Sequence, residues 1–323
     1  MTTISAKTIL RSRNAARPDK VLSTLLLRYP RWIHAEQRTH RVISLGEGLE
    51  IHEPTPSLMA DPNLSRNAAS SRAIPVKKLI QDVISDPAIP IFWGKNQPGM
   101  QAAEETDDLV ALPVPAVLRG NPLVDREAAW LAARDMAVKF AKAYEESGYH
   151  KQIVNRLLEP FSHITVLVSA TEWDNFLELR DHPDAEPHIQ MLAREIRKCL
   201  EDESTIQTLQ PGEWHLPFID IVEVAGLVSL EDRIKLSAAR CASTSYKTVD
   251  GFDMTLERAQ AIFDKLVTSK PIHASPLEHV AQADDWVSYD KADRPWANSE
   301  FGWANSAQHG NFEGFRQYRH MLT

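Results

Sequence analysis

Two short segments of this chain concentrate side chains that hold anions. Ser65-Arg66-Asn67-Ala68-Ala69-Ser70-Ser71-Arg72 and Arg38-Thr39-His40-Arg41-Val42-Ile43-Ser44 together carry four arginines, a histidine, an asparagine and four serines. Arginine donates hydrogen bonds in a planar fork that fits a phosphate. Two donor-rich segments this close point to a pocket for a phosphorylated small molecule. The chain as a whole is acidic, with a net charge of −8, which argues against a general nucleic-acid binder. Positive charge in such a chain has to be concentrated locally.

Four further segments carry groups of the same kind. Asn155 to Pro160 includes Arg156. Trp173 to Arg180 places Asn175 and Arg180 on neighbouring turns of a helix, with Phe176 and Leu177 inward and Leu179 beside them. Residues 237–241 read Ser-Ala-Ala-Arg-Cys. Residues 273–279 read His-Ala-Ser-Pro-Leu-Glu-His, where Ser275 is placed to cap a helix starting at Pro276.

The elements that must position these groups are partly visible. Residues 20–34 begin as a strand that stops at Tyr29-Pro30, and a helix follows through Trp32 to His40. Residues 45–64 read as a surface insertion. Val76 to Ser85 reads as a helix, 87–124 as an ordered irregular connection, and 125–147 as the clearest helix. In that helix Trp130, Ala133, Ala137, Phe140 and Tyr144 share a face, and Gly148 follows as a C′ residue. Further helices are expected at 149–158, 171–180 (opened by Thr171 as N-cap), 184–202, 229–239 and 255–269. Residues 163–169 favour a strand or turn, 203–227 a loop, and 284–323 an aromatic, polar tail.

With 323 residues, 43% hydrophobic and 25% charged, the chain can bury a substantial core. Cys199 and Cys241 stand in no disulfide or zinc spacing, so a reducing, cytosolic compartment is expected. There is no run of about 18 apolar residues. The first sixteen residues hold no secretory signal core and read as the start of the domain.

The segments resemble the flavin-dependent thymidylate synthases, in particular the divergent branch often seen in bacteriophages. The family's Arg-His-Arg and Ser-x-Asn-x-x-Ser-x-Arg pattern corresponds to Thr39-His40-Arg41…Ser44 and Ser65-x-Asn67-x-x-Ser70-x-Arg72. Its Arg-x-x-x-Pro is Arg156…Pro160, and its Asn-Phe-x-x-x-Arg is Asn175-Phe176…Arg180. Its Ala-Ala-Arg is Ala238-Ala239-Arg240, and its His-x-x-Pro-x-Glu-His is His273…Pro276…Glu278-His279. The last two come first in the common form of the family. The order here is that of a circular permutation, with the family's N-terminal part at 229–323. The match touches about two-thirds of the chain, and each motif is weak alone.

The resemblance implies a single α+β domain, with helices packed on a small, mainly antiparallel sheet. It also implies methylation of dUMP to dTMP with FAD, methylenetetrahydrofolate as carbon donor and NADPH as reductant. No protein nucleophile takes part in the family mechanism; the cofactor carries the hard step and the protein supplies orientation and charge. By position, Ser70, Ser71, Arg72, Arg156, Arg180 and Glu36 would hold the nucleotide. His40, Arg41, Val42, Asn67, Asn175, Ser275 and Glu278 would hold FAD. Arg180 and His273 would be the catalytic pair, Arg180 stabilising negative charge on the base. The family assembles as a homotetramer, and a cytoplasmic enzyme, in the host if phage-encoded, follows from the resemblance.

Four positions depart from the family pattern: Thr39 for Arg, Ala68 for Glu, Thr171 for Arg and Asp184 for His. They leave open hydroxymethylation of dUMP or dCMP on the same scaffold, or a catalytically silent nucleotide-binding homologue. His182 and His188 read as surface residues rather than metal ligands. Trp286, Trp296 and Trp303 read as core or interface residues.

Overall fold

The computed structural model describes residues 3–39, 65–68, 70–113, 121–219, 229–243, 255–268, 275–289 and 300–322. It is a mixed α+β structure. Ser5–Asn14 (β1) and Val21–Pro30 (β2) form an antiparallel pair, with a register shift between Thr8 and Leu10. They lie in a five-stranded sheet of order β3-β6-β2-β1-β7. Here β3 is Ser65–Ala68, β6 is His163–Ala170 and β7 is Ile206–Leu209. All pairings are antiparallel except β1 with β7.

The two faces of this sheet differ because strand side chains alternate. Leu25, Leu27, Tyr29, Ile164, Val166, Val168 and Ala170 form one buried face. Against it pack Asp174–Arg180 (α5) through Phe176 and Leu177, and Pro187–Glu201 (α6) through Ile189, Leu192 and Ile196. Each such side chain taken out of water contributes about 1.5–3 kcal/mol. The opposite face carries Thr24 and Ser169, which pair in register and are both fully buried.

Before these come His34–Thr39 (α1), entered through a 3-10 turn at Arg31–Ile33, and Val76–Ser85 (α2). Arg126–Glu146 (α3) and Lys151–Val154 (α4) follow two short strands, Val110–Ala111 (β4) and Leu123–Val124 (β5). A second core joins α2, α3 and the 3-10 segment Asn155–Phe161. Gly148 closes α3 at φ 83°, a left-handed conformation that suits glycine.

The chain then returns to the polar face of the sheet. Leu230–Ala242 (α7) and Leu256–Thr268 (α8) precede a 3-10 segment, Ser275–His279. Trp214–His215 (β8), Ala281–Ala283 (β9) and Phe315–Gln317 (β12) make a small antiparallel sheet. Trp286–Ser288 (β10) pairs with Phe301–Trp303 (β11), and Tyr318–Met321 (α9) ends the described chain. The Ser275–His279 segment packs on β3. Asn14 Nδ2 donates to Asp284 O at 2.9 Å and Gly314 O at 2.7 Å, tying the first strand to the tail.

Several sequence expectations need correction. β1 and β7 carry no strand signal in the sequence, yet both belong to the main sheet. In α3 the inward residues are Val138 and Ala141, with Trp130 and Ala137 half-buried, whereas Phe140 and Tyr144 are exposed. The expected 149–158 helix is a single α turn that continues as 3-10 through Pro160. Thr171 does not cap α5, which starts at Asp174 after Trp173 with no side-chain cap. Its hydroxyl instead donates to Asn311 O and accepts from Glu313 N in the tail. Leu179 faces solvent rather than joining Phe176 and Leu177. Ser275 stands inside a 3-10 segment and not before an α-helix. The 45–64 insertion and Trp296 lie outside the described residues. Among those described, no helix is long and apolar enough to cross a membrane, and no cluster of ligands suits a metal.

Candidate functional site

Arg180 ends α5, where two things keep its guanidinium uncommitted. The neighbouring Asp181 is taken by Arg194 at 2.9 Å and Arg197 at 3.0 Å. The described structure gives Arg180 no hydrogen bond or salt bridge of its own, and its Nε is buried without a partner. A buried donor left without an acceptor is uncommon and costs free energy, which a ligand acceptor would recover.

One carboxyl group lies within electrostatic reach of Arg180. Glu36 on α1 lies within electrostatic reach of Glu186, Arg180 and His188. Burial, with Glu186 next, pushes its carboxyl above the usual range, and Arg180 and His188 oppose the shift. Glu186 caps α6: its carboxylate accepts from His188 N at 2.9 Å and Ile189 N at 3.0 Å. The same carboxylate bonds His188 Nδ1. His188 Nε2 accepts from Ile91 N at 3.0 Å, so the ring proton sits on Nδ1 and is donated to Glu186. His188 is therefore buried, not on the surface as its sequence context suggests, while His182 is exposed. Trp32 meets the His188 ring edge-on at 5.3 Å and Trp130 at 5.7 Å, fixing the start of α1 against the start of α6.

A cationic cluster lies at the other end of the same short segment. Arg31 donates from Nε to Ser162 Oγ at 3.2 Å and feels both Glu159 and Arg156. Burial lowers the pKa of its guanidinium more than Glu159 restores it. Glu159 accepts from Ser71 Oγ at 2.5 Å and from Arg156 at 3.0 Å. Asn155 Nδ2 donates to Ser71 O at 2.7 Å and Ile74 O at 2.9 Å, locking the turn after Ser70. Arg72 in that turn is exposed and forms no ion pair with another described residue. Next to Arg31 a cavity of about 300 Å³ is lined by Arg28, Lys78, Asp82, Asp86, Ser162 and His163, among others.

On the polar face of the sheet a buried relay runs between distant segments. Gln207 Nε2 donates to Ser12 Oγ at 3.0 Å, and Ser12 Oγ lies 2.7 Å from His215 Nδ1. His215 Nε2 lies 2.8 Å from Thr24 Oγ1, Thr24 Oγ1 2.6 Å from Ser169 Oγ, and Ser169 Oγ 2.8 Å from His279 Nδ1. Ser12 Oγ accepts from Gln207 and still has a second lone pair, so the four links that follow run in either direction with the histidine tautomers. In both directions His279 Nε2 is buried and has no partner among the described residues. Burial drops both histidines to a pKa of about 3, so both are neutral near pH 7.

The structure thus brings Ser71 and Arg156 together through Glu159, and Arg180 to Glu36. Asn175 lies half-buried on the same helix as Arg180. Glu278 is ion-paired with Arg319. Asn67 pairs with Leu167 in the sheet, and the side chains of Asn67 and Ser275 lie outside the description. His40, Arg41, Val42 and His273 lie outside the described residues. Arg31, Glu159 and Glu186 are neighbours that no sequence signal marks, although Glu159 lies inside the Arg156…Pro160 segment. His188 reads as a surface residue in the sequence, and His279 stands in the Glu-His motif.

Comparison with known protein families gives no match, and comparison with curated proteins gives none. Among solved structures the chain is similar to the UMP/dUMP methylase PolB from Streptomyces cacaoi, bound with 5-Br UMP. The TM-score is 0.36 and the identity 13%, over 64% of this chain and 91% of that chain.

Proposed function

We propose that this chain methylates C5 of a pyrimidine deoxynucleoside monophosphate, with FAD as cofactor, methylenetetrahydrofolate as carbon donor and NADPH as reductant. The observation that carries it is Arg180, a guanidinium with a buried, unbonded Nε in a segment that matches the family's Asn-Phe-x-x-x-Arg motif. A cation left without an acceptor beside a polar surface is suited to a ligand carbonyl. Arg180 donates to the base and stabilises negative charge that develops on it. Arg72, Arg156 and Arg31 face the phosphate, with Ser70 and Ser71 in the turn beside them. The order of segments is a circular permutation of the family's, and the assembly is a homotetramer in the cytoplasm.

The described residues fit a flavin in one respect. His279 Nε2 is a buried ring nitrogen with no partner among the described residues, and the edge of a flavin ring carries an N–H as well as carbonyl and ring-nitrogen acceptors that can pair with either tautomer. Asn175 and Glu278 would complete that side, together with His40, Arg41, Val42, Asn67, His273 and Ser275. When bound, the flavin supplies the redox chemistry; the chain orients the nucleotide and excludes water.

The test has two parts. Purified protein titrated with FAD should turn yellow and show the absorbance of bound oxidised flavin. Mass spectrometry of products from dUMP and dCMP, each with methylenetetrahydrofolate and NADPH, should show a nucleotide heavier by a methyl group. A protein that stays colourless and takes up no FAD sinks the proposal and leaves a silent homologue. A hydroxymethyl product would keep the scaffold and change the reaction.

A further inference from the structure

The polar chain on the inner face of the sheet has only two complete forms. Ser12, Thr24, Ser169, His215 and His279 are all fully buried. Both rings are neutral near pH 7, so each carries one ring proton, and each hydroxyl carries one as well. Each of the four links between these residues needs one proton and no more. In the first form Ser12 donates to His215 Nδ1, His215 Nε2–H to Thr24, Thr24 to Ser169, and Ser169 to His279 Nδ1. Both rings then carry Nε2–H. In the second form every link is reversed and both rings carry Nδ1–H. A mixed pair leaves one link without a proton, or one hydroxyl proton without an acceptor. Either defect is buried and costly.

Gln207 chooses between the two forms. Its side chain is half-buried at the Ser12 end, where it lines a cavity of about 510 Å³ with Glu213, Trp214 and Arg233, among others. The bond to Ser12 is the one hydrogen bond of its amide among the described residues, so the amide is free to turn over. With Nε2 toward Ser12, at 3.0 Å, the hydroxyl accepts from Gln207 and its own proton goes to His215, which is the first form. With Oε1 toward Ser12, the hydroxyl donates to Gln207 and has to accept from His215 Nδ1–H, which is the second form. Passing from the first to the second moves one proton along each link. One proton enters at Ser12 and one leaves at His279 Nε2, so the count is conserved and neither ring ends charged. We propose that this chain is a tautomer switch: the end of the Gln207 amide that faces Ser12 sets His215 and His279 together, and so decides whether His279 donates or accepts at its buried, unpartnered Nε2. A molecule in the cavity that takes hold of the amide thereby changes the hydrogen-bonding sense of His279 across β1, β2 and β6. The switch does not depend on what the nucleotide site binds.

Nitrogen-15 NMR of the histidine rings in the full chain at pH 7 tests it, because bare and protonated ring nitrogens resonate far apart. The expected result is Nε2–H on both His215 and His279. Mixed pairs should be at least about fivefold rarer than matched ones, the penalty of one unmet buried hydrogen bond. Gln207→Glu offers Ser12 only an acceptor and should turn both rings to Nδ1–H. Gln207→Lys offers only donors and should leave both rings as they are. Thr24→Val keeps the side-chain shape and cuts the chain, so in that background Gln207→Glu should move His215 and no longer His279. Opposite tautomers in the parent protein overturn the pairing, and that spectrum decides even if no variant folds. Rings that ignore Gln207→Glu, or a His279 that still follows it when Thr24 is replaced, overturn the switch.

Discussion

Ser169 Oγ and His279 Nδ1 lie 2.8 Å apart inside the protein, although 110 residues separate them. This contact joins β6 of the main sheet to the 3-10 segment Ser275–His279. Ser169→Ala should leave His279 with both ring nitrogens unsatisfied in a buried place. The expected cost is about 1–3 kcal/mol, read as a lower urea midpoint with unchanged slope. A variant as stable as the parent would mean that the relay adds nothing to stability.

Arg180→Ala should fold normally, because the described structure gives the guanidinium no hydrogen bond or salt bridge to lose. Nucleotide binding or turnover should fall at least about tenfold, the loss of a charge-assisted hydrogen bond worth roughly 1.5–3 kcal/mol. Arg72→Ala, removing an exposed cation that has no ion pair among the described residues, should weaken binding through the phosphate. Titration with a nucleotide and with inorganic phosphate separates the two. Unchanged affinity in both variants would remove the proposed site.

Glu159 competes with any anion for Arg156. Glu159→Gln keeps an acceptor for the Ser71 hydroxyl and removes the charge. Phosphate should then bind about fivefold more tightly, corresponding to ~1 kcal/mol for a partly exposed pair. NMR titration with inorganic phosphate reads this directly. Weaker binding would show that holding Arg156 in place outweighs the competition.

Acid should destabilise the protein through its buried histidines. His215 and His279 are held neutral, with pKa values near 3, chiefly by burial, and His163 near 4 by burial and then Arg28. A histidine whose native pKa is depressed costs stability as pH falls below its unfolded value, about 6.5. The unfolded chain takes up the proton and the native one does not, so the loss grows down to about pH 3–4. At pH 5 this amounts to on the order of 2 kcal/mol for each fully buried ring. Asp284 adds a separate loss at lower pH. Burial raises its pKa, but bonds from His309 and Asn305 outweigh this and hold it at about 2. Its contribution is present above about pH 4 and disappears as pH falls through 2. Urea midpoints at pH 7, 5 and 3 test the series, and His215→Gln should flatten the upper part.

The sequence reveals elements whose signals are local and hides those set by distant partners. α2, α6 and α8 are legible because apolar residues recur at helical spacing between proline or polar boundaries. β1 is hidden because Arg11, Ser12 and Asn14 look solvated, yet Thr205, His215 and Gly314 supply their partners from far along the chain. Thr171 looks like an N-cap for the same reason: nothing nearby shows that the tail claims its hydroxyl. In the candidate site, Arg156 and Arg180 stand out in the sequence only by their place in motifs. The carboxylates Glu159 and Glu186 take their meaning from tertiary neighbours. His188 is buried because Glu186, Ile91 and Trp32 surround it, and no spacing in the sequence shows that.

The bonds from Asn14 to Asp284 and Gly314 reach nearly the full length of the chain. During synthesis β1 leaves the ribosome well before these acceptors, and its buried amide has no lasting partner until Asp284 and Gly314 follow. Thr24 and Ser169 wait in the same way for His215 and His279. A nascent chain stopped before residue 280 would carry an unfinished polar sheet face, a natural binding surface for chaperones. Closure of this sheet therefore waits for the segment that carries Asp284 and Gly314.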